Sequence, residues 1–281
     1  MSITKSNDPG GGRRHYRKVL SIAGSDSGGG AGIQADLKTM SALGCFGMTA
    51  ITALTAQNTM GVHGIHAVPP EFVEEQIEAV FSDMGADAVK IGMLFSPELI
   101  EAVARQLRKH AARNIVLDPV MVAQSGDKLL QDEAIEALTE YLFPMADVVT
   151  PNLPEAAVLL NRDIHGEDQI ESAAWDLAGF GSRSVLVKGG HLGSGESIDV
   201  LYLTEPQRVL TLAGQRVATS NNHGTGCTLS SAIASFLARG MDLEEAVRSA
   251  KTFISEAIAA GAGYRLGNGA GPVHHFYSFW L

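Results

Sequence analysis

Cysteine is nearly absent from this chain: Cys45 and Cys227 are the only two among 281 residues, and they lie far apart. That spacing describes no disulfide framework, so a reducing, cytoplasmic setting is expected. No uninterrupted apolar run reaches the length of a membrane span, so no membrane partner is expected. Val19 to Ala23 is too short for the apolar core of a secretion signal and runs directly into glycines. Basic residues are in deficit, 21 Lys and Arg against 31 Asp and Glu, for a formal net charge of −10 at pH 7. A field of that sign argues against nucleic acid as a partner, although loop amides and one or two lysines suffice to hold a nucleotide. Metal-type clusters are also wanting. His63-x-x-His66 and His274-His275 have no carboxylate or cysteine at matching spacing, and no zinc site is expected there.

What the chain has is core-forming material, 45% hydrophobic against 19% charged residues, enough for one large domain. Short apolar runs alternate with helical patterns. Strands are expected at Val19–Ala23, Met48–Leu54, Ala88–Ile91, Ile115–Leu117, Val148–Val149 and Val185–Val187. Ile33, Leu37 and Met40 mark a helix face, Pro70-Glu71 opens another helix, and Ser96-Pro97-Glu98 is a strong helix start. A further helix is expected from Asp132 to about Leu142. Ile198–Leu203 and Val209–Leu212, joined by Glu205-Pro206-Gln207, have hairpin character. Two helices close the chain, one ending at Gly240 and the other starting at Asp242 with Glu245 three residues on. There is no internal repeat and no long linker. The rhythm predicts an α/β fold with a mainly parallel sheet, in one domain covering 18–281. Residues 1–17, with Gly10-Gly11-Gly12 and several basic residues, read as a mobile, solvated extension.

The segment with most chemistry is His223-Gly224-Thr225-Gly226-Cys227-Thr228, in front of a helix of small residues. Its glycines permit a tight turn that aims backbone N–H groups at one point, and the helix dipole adds positive potential there. The same field is expected to favour the thiolate of Cys227. An anion cradle beside an acid/base group suits phosphoryl transfer to an alcohol. A second glycine loop, Gly24 to Gly32, lies between the first strand and first helix. It lacks the Lys-Ser/Thr pair of a Walker loop, and no Asp or Glu occurs between Asp36 and Glu71 to hold a ribose in a Rossmann site. Asp26 and Asp36 beside it suit ligand contacts. Thr55-Ala56-Gln57-Asn58, expected just past the second strand, offers an amide that can read a heterocycle edge. Asp118, Asn152, Glu155 and Lys188 each follow a strand, where open α/β sheets bind ligands. Carboxylates there suit Mg²⁺ through water, with helix capping by Asn152 and Glu155 as the alternative. Lys188, backed by two glycines, suits terminal phosphates.

Taken in order, these segments resemble the hydroxymethylpyrimidine/phosphomethylpyrimidine kinases of thiamine biosynthesis, in the ribokinase-like superfamily. The resemblance runs from about residue 18 through Gly24-Ser25-Asp26, Ala56-Gln57-Asn58, Lys90-Ile91-Gly92-Met93, Asp118-Pro119-Val120-Met121, Thr150-Pro151-Asn152, Lys188-Gly189-Gly190-His191 and His223 to Thr228, to the tail Gly271-Pro272-Val273-His274-His275-Phe276. It implies a three-layer α/β/α sandwich, usually a homodimer, that uses ATP and Mg²⁺. The implied activity phosphorylates the hydroxymethyl group of 4-amino-5-hydroxymethyl-2-methylpyrimidine and then the monophosphate. By the same resemblance Asp36 and Gln57 contact the pyrimidine, and Gly24 and Met93 wall its pocket. Asp118 and Glu155 serve the Mg²⁺ side, with Asn152 beside the nucleotide and Lys188 on the ATP phosphates. Gly224, Thr225 and Gly226 form the anion hole, and Cys227 stands where most of the superfamily has a catalytic aspartate. Gln124, Asn222, Asn268 and Thr55 depart from residues frequent at those positions, and Thr55 stands where an apolar residue is common. A pyridoxal/pyridoxine kinase, or a catalytically silent pyrimidine- or nucleotide-binding regulator, is the rival reading.

Overall fold

Neighbouring residues of a strand leave opposite faces of a sheet, and the short apolar runs of this chain feed two cores in that way. Ile115 and Leu117 join one cluster of buried side chains, while Val116 between them joins another. Val149 and Val148 divide likewise, as do Val185 and Leu186. Fully buried strands that cover both faces need helices on both sides.

The computed structural model, which describes residues 14–121, 133–164, 167–190 and 196–280, has that arrangement. Its strands are β1 (Lys18–Asp26), β2 (Phe46–Asn58), β3 (Gly61–Ala67), β4 (Ala88–Ile91), β5 (Ile115–Leu117), β6 (Val148–Val149), β7 (Ser184–Lys188), β8 (Glu196–Thr204) and β9 (Gln207–Gln215). They form one sheet in the order β3-β2-β1-β4-β5-β6-β7-β8-β9. Pairing is parallel from β2 through β7, and antiparallel where β3, β8 and β9 extend the two edges. The helices are α1 (Gly32–Ala42), α2 (Pro70–Asp83), α3 (Pro97–Lys109), α4 (Glu133–Ala137), α5 (Leu153–Leu160), α6 (Glu167–Ala178), α7 (Thr225–Ala238) and α8 (Leu243–Gly261). Residues of α2 to α6 pack into one core and those of α7 and α8 into the other. The fold is a three-layer α/β/α sandwich.

Local chemistry accounts for the helix starts. Ser96 caps α3, its hydroxyl accepting from the Leu99 N–H at 3.4 Å, with Pro97 in the first turn. Asp242 accepts from the Glu245 N–H at the start of α8. Helix α7 is buried from Thr228 to Ala238, and its serines and alanines let it lie close under the sheet. None of the described helices is long and apolar enough to cross a membrane.

Three expectations change. The helix expected to reach Leu142 is α-helical only to Ala137, then becomes a wider turn at Leu138–Leu142 and a tighter one at Phe143–Met145. Pro144 has no N–H with which to continue the helix. Strand β2 runs on to Asn58 and folds back as β3, whose residues 63–67 are exposed, so no buried alternation announced it. Thr55 to Asn58 therefore lie within a strand rather than after one. Residues 1–13 of the expected extension lie outside the described residues; Tyr16 packs on Phe46 and the Arg17 carbonyl accepts from the Phe46 N–H.

Candidate active site

The parallel strands end on one side of the sheet, and their last residues assemble there. At the end of β1, Asp26 is 3% exposed. Its Oδ1 accepts from the Gly28 N–H at 2.8 Å, and its Oδ2 from Gly30 at 3.0 Å and Ala31 at 2.8 Å. His223 Nε2 completes the set, 2.8 Å from Oδ2. Burial alone would raise the Asp26 carboxyl; His223 and the amide donors outweigh it and hold the group below its ordinary value. Asp26 thus holds the glycine loop together and is not placed as a ligand contact, contrary to expectation.

The second glycine loop closes onto the first. Gly224 has φ of 79°, and a Cβ there would run into the Gly30 carbonyl oxygen. Only glycine meets both demands. It precedes the first turn of α7, whose leading amides have no intrahelical acceptors. Thr225 ties that turn down through its hydroxyl, which donates to the Asn222 carbonyl at 2.7 Å. Cys227 sits in the same turn, partly buried. Its thiol is pushed up to about 11, first by loss of water and then by Asp36 and Asp118, against the opposing charge of Lys90. The thiolate expected from the helix field is therefore corrected. Desolvation and two nearby carboxylates outweigh the dipole, and the resting group is a thiol.

Beside the α7 start lie the residues expected to serve the nucleotide. Lys188 Nζ is 2.9 Å from Asp118 Oδ1, which also accepts from the Thr150 hydroxyl at 3.1 Å. A Cβ on Gly226 would stand 3.3 Å from Lys188 Nζ and 3.5 Å from Asp118 Oδ2. Lys188 loses water, which alone would lower it, yet Asp118 and Glu155 hold it raised. Glu155 is pushed up to about 7 by burial and by the Asp118 charge, against the pull of Lys188. Asn152 and Glu155 form a reciprocal capping box at the start of α5, with N–H to oxygen distances of 2.7 and 2.8 Å. The capping alternative is thus realised, and it leaves one Glu155 oxygen outside the box. Two carboxylates facing one lysine in so little water suit a further cation held through water. Among the described residues no three His, Cys, Asp or Glu side chains converge as direct ligands.

On the other flank, Gly24 packs against Met93, whose Cε would lie 2.6 Å from a Cβ at that position. Gln57, on β2, lines a cavity of about 250 Å³ together with His223, Met60 and Ala270. Asp36 was expected to contact the pyrimidine. It is fully buried, with Oδ2 accepting from the Ser21 hydroxyl at 2.5 Å and Lys90 Nζ at 3.0 Å, and Oδ1 from the Ser231 hydroxyl at 2.6 Å. Its oxygens are taken up by partners on β1, β4 and α7. Lys90 was the missed residue, and a lone lysine inside the apolar run Ala88–Ile91 was the available signal. Burial would lower Lys90, but Asp36 keeps it firmly charged. Gln124 and His191 lie outside the described residues. Asn268 is exposed, and so are His63 and His66 on β3. A larger cavity of about 620 Å³, lined by Arg108, Arg113 and Arg183 among others, contains none of these residues.

A family model described as phosphomethylpyrimidine kinase matches residues 26–274. The chain is 52% identical over 263 residues to the hydroxymethylpyrimidine/phosphomethylpyrimidine kinase of Rhizobium meliloti, covering 93% of this chain and 98% of that one. Among solved structures, the phosphomethylpyrimidine kinase of Clostridium difficile is 45% identical with a TM-score of 0.75, over 86% of this chain and 99% of that one. The pyridoxal kinase of Bacillus subtilis, crystallised as an ADP complex, is 37% identical with a TM-score of 0.86, over 93% and 98%.

Proposed function

Since this chain belongs to the phosphomethylpyrimidine kinase family, we propose how its own residues carry out that family's reaction. The protein is a thiamine-pathway kinase that transfers phosphate from ATP to the hydroxymethyl group of 4-amino-5-hydroxymethyl-2-methylpyrimidine and then to the monophosphate. The observation that carries the assignment of roles is the meeting of Lys188, Asp118 and Gly226 at the start of α7, beside Cys227. Lys188 draws the terminal phosphates toward the Gly224–Gly226 amides, which hold the phosphoryl group as its bonds change. Asn152 borders the nucleotide side. Asp118 and Glu155 would hold Mg²⁺ through water, and the ion would supply charge neutralisation on the phosphates. Gly24 and Met93 wall the pyrimidine pocket, and Gln57 reads its amino edge.

Cys227 faces the substrate hydroxyl. As a thiol at neutral pH it orients that group, whose proton passes to an oxygen of the transferred phosphoryl group, and as a thiolate at high pH it accepts the proton itself. In the second transfer the acceptor is already an anionic phosphate, so Cys227 matters less there.

Pyridoxal kinase is the second reading, favoured only by the higher TM-score to that fold; the higher identities fall on the pyrimidine kinases. Product masses after incubation with Mg·ATP and each alcohol decide between them. Mono- and diphosphorylated pyrimidine are expected, and phosphorylation of the pyridine alcohol alone would overturn the assignment. Two further proposals accompany it. The free thiols Cys45 and Cys227 suit the cytoplasm. Exposed Leu54, Ile65 and Phe72 along β2, β3 and the start of α2 suit burial in a homodimer, which sedimentation would test.

A further inference from the structure

We infer that Thr55 fixes which way the Gln57 amide faces, and so makes Gln57 a reader of an amino-substituted ring over an oxygen-substituted one. This rests on the pyrimidine reading above. Thr55 Oγ1 stands 2.8 Å from the Ser25 carbonyl oxygen and 3.1 Å from Gln57 Oε1. Both neighbours are acceptors, whereas a hydroxyl carries a single hydrogen. The Ser25 carbonyl cannot change its nature. Its residue is held in the first glycine loop, where Ser25 Oγ accepts from Gln34 Nε2 at 2.8 Å and Gln34 Oε1 accepts from the Asp26 N–H at 2.9 Å. The hydrogen of Thr55 therefore goes to Ser25.

What Thr55 then offers Gln57 is a lone pair, and only an N–H satisfies that. The two ends of a carboxamide are alike in size, so the hydrogen-bond pattern decides between them. Turned by half a rotation, the Gln57 amide donates one Nε2 hydrogen to Thr55 and keeps Oε1 with the other Nε2 hydrogen as an outward pair. Its backbone stays in place, because the Ser27 hydroxyl donates to the Gln57 carbonyl at 2.8 Å and accepts from its N–H at 2.9 Å.

An outward acceptor next to a donor matches a ring that carries an exocyclic amino group beside a ring nitrogen. This is the pairing by which glutamine reads adenine. A ring with an aldehyde or hydroxylate oxygen in the amino position would set that oxygen against Oε1 and leave both underpaired. A valine at position 55 offers no lone pair, and the amide is then free to turn either way. Thr55 is thus a positioning residue that acts through Gln57, and its hydroxyl supplies selectivity that an apolar side chain cannot.

Steady-state kinetics of wild type, Thr55→Val and Thr55→Ser, on the aminopyrimidine alcohol and on pyridoxal, test this. Thr55→Val is expected to raise KM for the aminopyrimidine about 10-fold, with kcat falling no more than about threefold. The kcat/KM for pyridoxal should hold or rise, and Thr55→Ser should restore the aminopyrimidine KM to within about threefold of wild type. If Thr55→Val fails to fold, Thr55→Ala carries the same comparison. Equal losses on both alcohols, a loss confined to kcat, or an unchanged aminopyrimidine KM would each overturn the role of Thr55 while leaving the kinase assignment intact. Wild-type protein that leaves the aminopyrimidine unphosphorylated would instead overturn the function itself, and this role with it.

Discussion

His223 Nε2 lies 2.8 Å from Asp26 Oδ2, and this one contact joins the two glycine loops across 197 positions of sequence. Because Oδ2 also accepts from the Gly30 and Ala31 amides, Asp26→Asn brings a donor against donors. The variant should lose about 2–3 kcal/mol of stability, visible as a melting temperature lowered by roughly 4–10 °C. Its kcat/KM should fall by about 10-fold as the anion cradle loosens. A melting temperature equal to wild type would show that the clamp is dispensable.

Gly224→Ala meets two obstacles, a positive φ and the Gly30 carbonyl. The loops must separate to admit the methyl group, which moves the amides expected to hold the phosphoryl group. A fall in kcat of about 10²-fold is expected, with a smaller change in the aminopyrimidine KM. Wild-type kcat would place the cradle elsewhere.

Lys188→Met leaves Asp118 and Glu155 facing each other without their nearest cation. Breaking such a pair from one side should cost about 3 kcal/mol. Adding Asp118→Asn should return part of that stability, although activity stays down about 10²- to 10³-fold in both variants. Denaturant titration of the single and double variants gives the answer. A double variant less stable than Lys188→Met would contradict the buried-pair description.

His275 is 4% exposed and shares a 3.0 Å hydrogen bond with the Thr228 hydroxyl of α7. Loss of water, with Lys38 and His274 adding, pushes its imidazole down to about 4 from 6.5. The folded state thus resists a proton that the unfolded chain takes up. The stability from keeping this ring neutral is whole above pH 6.5 and is lost as pH falls from there toward 4. In thermal melts across that window, His275→Asn should lose less stability than wild type, by roughly 2–3 kcal/mol over the full range. Parallel pH curves for the two proteins would show that His275 does not titrate in this way.

Much of this was legible in the sequence because apolar periodicity and strand-end positions are local properties. Ala88–Ile91 and Ile115–Leu117 coincide with β4 and β5, and Asp118 and Lys188 meet although 70 residues separate them. What was not legible depended on tertiary surroundings. Strand β3 carries exposed side chains and forms only because β2 offers it an edge. Asp36 sits in a motif that reads as ligand-binding, yet Lys90, Ser21 and Ser231 take its oxygens from other elements. The thiol of Cys227 depends on carboxylates that only the fold brings near. Helix-start chemistry was visible, whereas the balance of desolvation against charge was not.

The most direct measurement follows the two phosphoryl transfers separately, by rapid quench, in wild type and Cys227→Ala. The first transfer should slow by about 10²-fold and the second by less than about 10-fold. In wild type the first rate alone should climb with pH toward the thiol value of about 11. Equal slowing of both transfers, or an unaffected first transfer, would contradict the role given to Cys227.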